Sequence, residues 1–162
     1  MSTRSGIGYD SHRLVDGRRL VLGGVELNAE RGLEGHSDAD VLSHAITDAL
    51  LGAAGLGDIG QHFPDSDERY RDADSLVLLS DALASVRAAG FELVHVDATV
   101  VMEAPKLADA RKAIGDRLAE VLGVPAANVN IKATTGEGIG FVGRGEGVAA
   151  LAVATLAQRA NG

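Results

Sequence analysis

Residues 35–54 read GHSDADVLSHAITDALLGAA, and this stretch sets the kind of fold that the chain can adopt. Its apolar side chains recur at the spacing of one helical face, and serine and aspartate precede them. The pattern predicts a helix over 39–54 with Ser37 or Asp38 as its N-cap. It is the first of three predicted helices, and strands are predicted between them.

Strands and helices alternate along the rest of the chain. Apolar, mostly β-branched runs predict five strands, two of them paired in a hairpin: 7–12, 19–22 with 25–27, 91–102 and 129–134. Glycines end two further predicted helices, 75–89 and 107–122. A long loop is expected at 55–74, and the alanine-rich tail 148–160 fits a strand or a helix. The alternation predicts a single α/β or α+β domain spanning 1–162.

The composition limits the classes of function. Of 162 residues, 46% are hydrophobic and 23% are charged, and the formal net charge is −8. That charge argues against nucleic-acid binding, which depends on clustered Lys and Arg. Because the chain has no cysteine, a metal would have to be bound by His, Asp or Glu. No apolar run at the N-terminus resembles a signal peptide and no segment reaches transmembrane length, so a cytoplasmic protein without membrane contact is expected.

The main candidate for a metal site combines a strand with the first helix. Asp10 and His12 are two residues apart, so both side chains point to the same face of a strand. His44 lies inside the predicted helix, and Asp40 and Asp48 lie one turn away as candidate orienting partners of its ring. Together Asp10, His12 and His44 would leave a fourth position open, as in catalytic zinc sites. The alternative is a capped strand end with ordinary histidines.

Residues around the start of the first helix could contact an anion. His36 and Ser37 precede the helix, where unpaired backbone N–H groups attract phosphate. An ordinary N-cap is the better explanation when this segment is considered by itself. In the loop that follows the helix, the acidic residues of 57–60 and 63–67 could hold hydroxyl groups of a polyol, and a solvated loop is the alternative.

A further cluster follows the last predicted strand. Residues 132–137, with Phe141 and Arg144 beyond them, combine hydroxyls, glycine, a carboxylate and cations. A site for phosphate and a divalent ion needs this combination, because glycines let the backbone approach phosphate oxygens. The alternative is a plain loop between two strands.

Together these segments resemble the 2-C-methyl-D-erythritol 2,4-cyclodiphosphate synthase family. The matching stretches occur in order over essentially the whole chain: GIGYDSHRL, LGGVEL, GLEGHSDADVLSHAITDALLGAAGLGDIGQHFPDSD, DADS, EAPKL and IKATTGEGIGFVGRGEG. The resemblance implies a mixed four- to five-stranded sheet covered by helices on one face, with the tail as a strand. It also implies a homotrimer with each active site at a subunit junction.

The resemblance further implies a reaction. The substrate would be 4-diphosphocytidyl-2-C-methyl-D-erythritol 2-phosphate, whose own 2-phosphate attacks the β-phosphate and releases CMP. The product, 2-C-methyl-D-erythritol 2,4-cyclodiphosphate, belongs to the non-mevalonate route to isoprenoid precursors. Two rivals remain open: a mononuclear zinc hydrolase acting on a phosphoester, and a non-catalytic trimer that binds an isoprenoid or a nucleotide.

The family's pattern assigns roles to individual positions. Zinc would be bound by Asp10, His12 and His44, and a second divalent ion, Mg²⁺ or Mn²⁺, by Glu137. Stabilisation of the transition state would fall to His36 and Thr135. The positions that match the family's substrate contacts are Asp10, Ser11, His12, His36, Ser37, Asp58, Ile59, Gly60, Phe63, Pro64, Asp65, Ser66, Asp67, Met102, Glu103, Ala104, Pro105, Lys106, Leu107, Ala108, Ala133, Thr134, Thr135, Gly136, Glu137, Phe141 and Arg144.

Three positions depart from the family's common pattern. Gly136 precedes the glutamate where many members have a third threonine, which removes a hydroxyl and is expected to loosen the loop. Leu107 and Ala108 replace a bulkier pair, so the cytidine pocket is expected to differ in shape.

Overall fold

Seven strands and five helices form within residues 2–160, which are the residues that the computed structural model describes. The strands are β1 (Thr3–Asp16), β2 (Leu20–Leu22), β3 (Val25–Leu27), β4 (Arg31–Leu33), β5 (Phe91–Val101), β6 (Val129–Thr134) and β7 (Gly147–Gln158). The helices are α1 (Val41–Ala54), α2 (Ile59–His62), α3 (Ser75–Ala88), α4 (Arg111–Leu122) and α5 (Gly140–Gly143), with short 3-10 turns at Glu68–Tyr70 and Ala126–Asn128.

Five of the strands form one mixed sheet in the order β4-β1-β7-β5-β6. β7 pairs antiparallel with β1 on one side and with β5 on the other, while β5 and β6 run parallel. β2 and β3 form the predicted hairpin as a separate two-stranded sheet. The sheet confirms the expectation of a mixed sheet of four to five strands, and the tail is the central strand β7.

The helices cover one face of the sheet. α1 packs on β1 and β7, α3 on α1 and β5, and α4 on β6. Alternate side chains of β7 from Val148 to Leu156 are buried beneath them. On the opposite face, apolar side chains remain exposed, including Ile7 (70% exposed) and Tyr9 (54% exposed) of β1.

Two glycines of β1 allow α1 to approach the sheet closely. A Cβ atom at Gly8 would lie 1.8 Å from the carbonyl oxygen of Ala45, and one at Gly6 would lie 2.2 Å from that of Ala49. Any side chain at these positions would push α1 away from β1. Since Ala45 follows His44, this close contact sets how near His44 comes to the continuation of β1.

Several predicted boundaries are wrong. α1 begins at Val41 rather than 39, because Asp40 is its N-cap and accepts a hydrogen bond from the backbone N–H of Ser43 at 3.0 Å. α4 begins at Arg111 rather than 107, since a turn closed by the Ala110 N–H to Leu107 carbonyl bond (2.9 Å) precedes it. β4, α2 and α5 were not predicted. Within residues 2–160, no helix combines the length and hydropathy needed to cross a bilayer.

Candidate active site

Asp10, His12 and His44 meet at the junction of β1 and α1, as the sequence predicts. Oδ2 of Asp10 lies 2.9 Å from Nε2 of His12 and 3.0 Å from Nδ1 of His44. The two ring nitrogens are 3.4 Å apart. Each residue thus offers one ligand atom, and these three atoms lie within 4.8 Å of one another.

The other nitrogen of each ring is already engaged. Nδ1 of His12 donates to the carbonyl of Glu34 at 2.8 Å, so Nε2, which faces Asp10, is the nitrogen available to a cation. Nε2 of His44 lies 2.7 Å from the hydroxyl of Ser75 and 3.2 Å from that of Ser37. The two histidines are therefore oriented by partners outside the cluster.

The three ligand atoms fit a tetrahedral zinc ion. Zinc binds histidine nitrogen and carboxylate oxygen at about 2.0–2.2 Å, so its ligand atoms stand roughly 3.3 Å apart. The separations of 2.9, 3.0 and 3.4 Å are close to that value. The set contains one anionic and two neutral donors, and the same three residues line an adjoining cavity in which a fourth ligand would have room.

Ionisation of the cluster reflects close contact between opposite charges. Burial acts to raise the pKa of Asp10, but hydrogen bonds and charge from His12 and His44 outweigh it and lower the pKa to about 2. Burial also acts to lower the pKa of His12, yet the hydrogen bond to Asp10 and its charge raise it above the ordinary value. The carboxylate of Asp10 is therefore the charged member that a cation would meet.

The expectation that Asp40 and Asp48 orient the ring of His44 is wrong. Asp40 is fully buried and accepts from the backbone N–H groups of Gly23 (2.9 Å) and Gly24 (2.8 Å) in the β2–β3 hairpin. Asp48 accepts instead from the backbone N–H of Ile59 at 3.1 Å. Both acids connect α1 to neighbouring segments, while two serines contact the His44 ring.

A cavity of 430 Å³ opens beside the cluster. The predicted site residues that line it are Asp10, His12, His36, Ser37, His44, Ile59, Gly60, Phe63, Pro64 and Asp65. Its wall also contains Gly35, Tyr70 and Leu78, which were not predicted. Tyr70 packs edge-on against Phe63 with ring centroids 5.4 Å apart. Nε2 of His36 donates to the carbonyl of Asp67 at 3.1 Å, which ties the 63–67 loop to the start of α1.

A second cavity of 210 Å³ lies at the ends of β5 and β6. Its lining includes the predicted residues Met102, Glu103, Pro105, Lys106, Leu107, Ala108, Ala133, Thr134 and Thr135. It also includes Arg111, the first residue of α4, which the sequence analysis did not select. Leu107 is buried and Ala108 is exposed at this site.

The loop after β6 is tightly held. The carboxylate of Glu103 accepts a hydrogen bond from the backbone N–H of Gly136, whose carbonyl accepts from the N–H of Ile139 at 2.9 Å. A Cβ atom at Gly136 would lie 2.7 Å from the backbone nitrogen of Gly143. The expectation that Gly136 loosens this loop is therefore wrong, because its missing side chain allows the backbone to pack closely.

Some predicted residues line neither cavity. Ser11 lies between Asp10 and His12 on β1, so its side chain points to the opposite face and is exposed. The others are Asp58, Ser66, Asp67, Ala104, Gly136, Glu137, Phe141 and Arg144. Among them, Arg144 pairs with Glu146, with Nε of the former 3.0 Å from Oε1 of the latter.

Within one chain the two cavities are separate. No described residue lines both. Asp10 and Ala133 stand in one row across the sheet, with one residue of β7 and one of β5 between them. Three strand spacings separate them, about 14 Å. His36 and Thr135, the two residues expected to act on the transition state, line different cavities.

Comparison with known proteins gives a consistent result. The YgbB family matches residues 3–157. A 2-C-methyl-D-erythritol 2,4-cyclodiphosphate synthase of Bordetella petrii is 59% identical over 155 residues, which cover 96% of both chains. A solved synthase structure described as the CDP-bound form superposes with a TM-score of 0.88 at 41% identity, covering 95% of this chain and 100% of that one.

A bifunctional relative is also similar. The IspDF protein of Campylobacter jejuni superposes with a TM-score of 0.94 at 44% identity. The match covers 97% of this chain and 42% of the Campylobacter chain. This chain therefore corresponds to one part of that longer protein.

Proposed function

Because the chain belongs to the YgbB family, whose similar members are named 2-C-methyl-D-erythritol 2,4-cyclodiphosphate synthases, we propose that it catalyses the corresponding cyclisation. It converts 4-diphosphocytidyl-2-C-methyl-D-erythritol 2-phosphate to the 2,4-cyclodiphosphate with release of CMP. One P–O bond forms, between the 2-phosphate and the β-phosphorus, and the bond from that phosphorus to CMP breaks. No water is consumed, and residues 1–162 act as one synthase domain.

The observation that carries the proposal is the convergence of Asp10, His12 and His44 beside an open cavity. One carboxylate and two imidazoles from β1 and α1 suit zinc, and the cavity provides room for a ligand at a fourth position. Glu137 would hold Mg²⁺ or Mn²⁺. Bound at these two sites, the cations would neutralise charge on the diphosphate and help to fix its orientation.

The chain's own residues then have a limited chemical task. The attacking phosphate is already ionised and is part of the same molecule, so no strong general base is required. Folding the substrate into an in-line geometry falls to the walls of the two cavities. The Oγ1 atom of Thr135 accepts from the backbone N–H of Glu137 at 3.1 Å, which leaves its hydroxyl proton free to donate to a phosphate oxygen.

Positive charge near the nucleotide would come from side chains as well as cations. Lys106 lines the second cavity. Arg144 is paired with Glu146 and would have to exchange that partner to contact the ligand. His36, held by the carbonyl of Asp67, lies in the wall of the metal-site cavity, where it would contact the reacting phosphate. These contacts would explain how a chain of net charge −8 accepts an anionic substrate.

A homotrimer would bring the two halves of the site together. One substrate must reach both the metal cluster and the nucleotide pocket, yet the two cavities of one chain share no residue. A neighbouring chain would supply the second cavity. The helix-free face of the sheet supports this assembly, because it exposes Ile7, Tyr9, Leu151 and Val153 to solvent in the single chain.

The decisive experiment is turnover of the CDP-linked methylerythritol 2-phosphate by purified protein, with and without a chelator. We expect CMP and the cyclic diphosphate, loss of activity after chelation and recovery with zinc. Running the reaction in oxygen-18 water separates a cyclase from a hydrolase, since label in the sugar product would contradict cyclisation. Protein without stoichiometric zinc and without turnover would favour a binding module. The cytoplasmic location stays a prediction from the sequence.

A further inference from the structure

The stretch DADS, residues 72–75, contacts the metal cluster through Ser75 and the ring of His44. Ser75 is the first residue of α3 and is fully buried, with its hydroxyl oxygen 2.7 Å from Nε2 of His44. The same hydroxyl donates to Oδ1 of Asp38. A continuous chain of hydrogen bonds therefore runs from Asp38 through Ser75 to the ring of His44.

The direction of these hydrogen bonds follows from counting protons. Asp38 accepts from the backbone N–H of Ser75 at 3.0 Å and from that of Asp40 at 3.1 Å, so its carboxylate acts as an acceptor on both oxygens. The single hydroxyl proton of Ser75 is donated to Asp38, and the Ser75 oxygen must then accept from His44. In the neutral ring, Nε2 of His44 therefore carries the hydrogen, and Nδ1, the nitrogen that faces Asp10, keeps a lone pair for a cation.

Backbone contacts hold the chain of hydrogen bonds in place. The N–H of Asp38 donates to the carbonyl of Ala73 at 3.1 Å, and the N–H of Asp72 donates to the carbonyl of His36 at 2.8 Å. The segment before α1 and the segment before α3 thus run side by side. Ser37, the weaker contact of the His44 ring at 3.2 Å, is also occupied by the backbone N–H of Ala39 at the same distance.

We propose that Asp38 and Ser75 are positioning residues that fix the ring orientation and tautomer of His44 and thereby set the affinity of the site for zinc. The inference rests on the proposed function, because it treats His44 as a zinc ligand. Neither residue touches the ion; Ser75 acts through His44, and Asp38 acts through Ser75. Hydrogen-bond partners of metal-bound histidines commonly change metal affinity by about 10–100-fold when removed.

The test measures zinc affinity by competition with a chromophoric chelator. Ser75→Ala should weaken zinc binding about tenfold or more, because the ring of His44 then keeps only the longer contact to Ser37. Asp38→Asn should also weaken it, and the double variant should bind no more weakly than Ser75→Ala. Additive losses in the double variant would show that Asp38 does not act through Ser75 and would overturn the proposed chain.

The matched control is Ser43→Ala. Ser43 is equally buried and adjacent to His44 in the sequence, but its hydroxyl donates to Asp40 at 2.8 Å and not to the ring. It should lower the stability of the metal-free protein without changing zinc affinity more than about twofold. The visible spectrum of the Co²⁺-substituted protein should shift in Ser75→Ala and stay unchanged in Ser43→Ala. Should Ser75→Ala fail to fold, Asp38→Asn carries the same comparison.

Besides additive losses in the double variant, two further results would count against the inference, and they differ from each other. Wild-type protein that binds no zinc would overturn the proposed function together with this inference. If Ser75→Ala binds zinc as tightly as the wild-type protein and shows the same Co²⁺ spectrum, the positioning role alone is overturned.

Discussion

Nε2 of His12 and Nδ1 of His44 lie 3.4 Å apart, so the two rings present different nitrogen atoms to the same point. The difference arises because the carbonyl of Glu34 occupies Nδ1 of His12, whereas hydroxyls occupy Nε2 of His44. Asp10 completes the set from the same strand as His12. Contacts of both rings with groups outside the cluster thus turn these two nitrogen atoms toward Asp10.

We expect His44→Ala to abolish stoichiometric zinc binding and turnover while the fold survives. His44 contributes a ligand from α1 but little to the core, because its ring is bounded by the cavity and by serines. Metal analysis and unfolding in urea measure the two effects, with a stability loss on the order of 1 kcal/mol in the metal-free protein. His95→Ala, on β5 and outside both cavities, is the control and should keep its zinc. Full zinc content in His44→Ala would remove this residue from the ligand set.

The metal-free protein should lose stability as the pH rises through the raised pKa of His12. Contact with Asp10 raises that pKa above 6.5. The contribution of protonated His12 to the free energy of unfolding is therefore fully present below pH 6.5 and is lost above the raised pKa. The pKa of Asp10 is lowered to about 2, so its ionised carboxylate contributes to the free energy of unfolding fully above pH 3.8. Urea unfolding of chelator-treated protein at about pH 5.5 and about pH 8.5 measures the change.

Asp10→Asn is the control for this pH dependence, because it removes the charge that raises the pKa of His12. The variant should show a smaller fall in stability between the two pH values. Equal falls in both proteins would contradict the coupling. Zinc affinity should have the opposite trend and increase with pH, since histidine must lose its proton to bind a metal.

Glu137→Gln should retain zinc and lose turnover. Glu137 lies in the loop after β6, and its side chain is exposed and has no hydrogen bond or ion pair with any residue of 2–160. Losing its charge therefore costs no internal contact and acts only on a bound cation or substrate. Steady-state kinetics with varied Mg²⁺ measures the effect, and Glu120→Gln on the exposed face of α4 is the control. Unchanged kinetics would exclude Glu137 from the mechanism.

Asp40→Asn should destabilise the fold more than its small chemical change suggests. Four donors reach the buried carboxylate: the backbone N–H groups of Gly23, Gly24 and Ser43, and the Ser43 hydroxyl. An amide NH₂ at one oxygen position would face a donor, at a cost of about 2 kcal/mol in the free energy of unfolding. Asp48→Asn is the matched control on α1, because an amide oxygen can still accept from Ile59. Equal stabilities of the two variants would contradict this account.

The start of α1 shows which part of the fold sequence reasoning could reach. The spacing of apolar residues located the helix and pointed to Ser37 or Asp38 as its N-cap, whereas the N-cap is Asp40. Tertiary contacts distinguish them: Asp40 binds the β2–β3 hairpin and Asp38 binds Ser75. The tail was undecided for a similar reason, since a central strand between β1 and β5 is apolar without clear alternation.

The candidate site was predictable to a similar extent. The spacing of Asp10 and His12 indicated two ligands on one strand face, and the first predicted helix offered His44 as the third. The family resemblance added the nucleotide pocket. Ser75 was not a predicted site residue, because nothing local relates it to a histidine 31 positions earlier. Tyr70 and Arg111 gave no signal, since a cavity wall is formed by packing of distant segments.

Gly136→Ala should destabilise the protein and weaken CDP binding. The new Cβ atom would lie 2.7 Å from the backbone nitrogen of Gly143 and 3.0 Å from the carbonyl oxygen of Ile139, and backbone atoms cannot rotate away as a side chain can. Overpacking of this kind costs about 1–3 kcal/mol. To relieve these close contacts, the loop carrying Thr135 and Glu137 would have to shift.

Gly115→Ala on α4 is the control, because its nearest neighbour is 4.0 Å away and alanine favours a helix over glycine by about 1 kcal/mol. In urea unfolding, Gly136→Ala should therefore be less stable than wild type and Gly115→Ala more stable, and calorimetric titration with CDP measures the loss of binding in Gly136→Ala. A Gly136→Ala protein as stable as wild type, with unchanged CDP affinity, would show that the loop is not tightly packed.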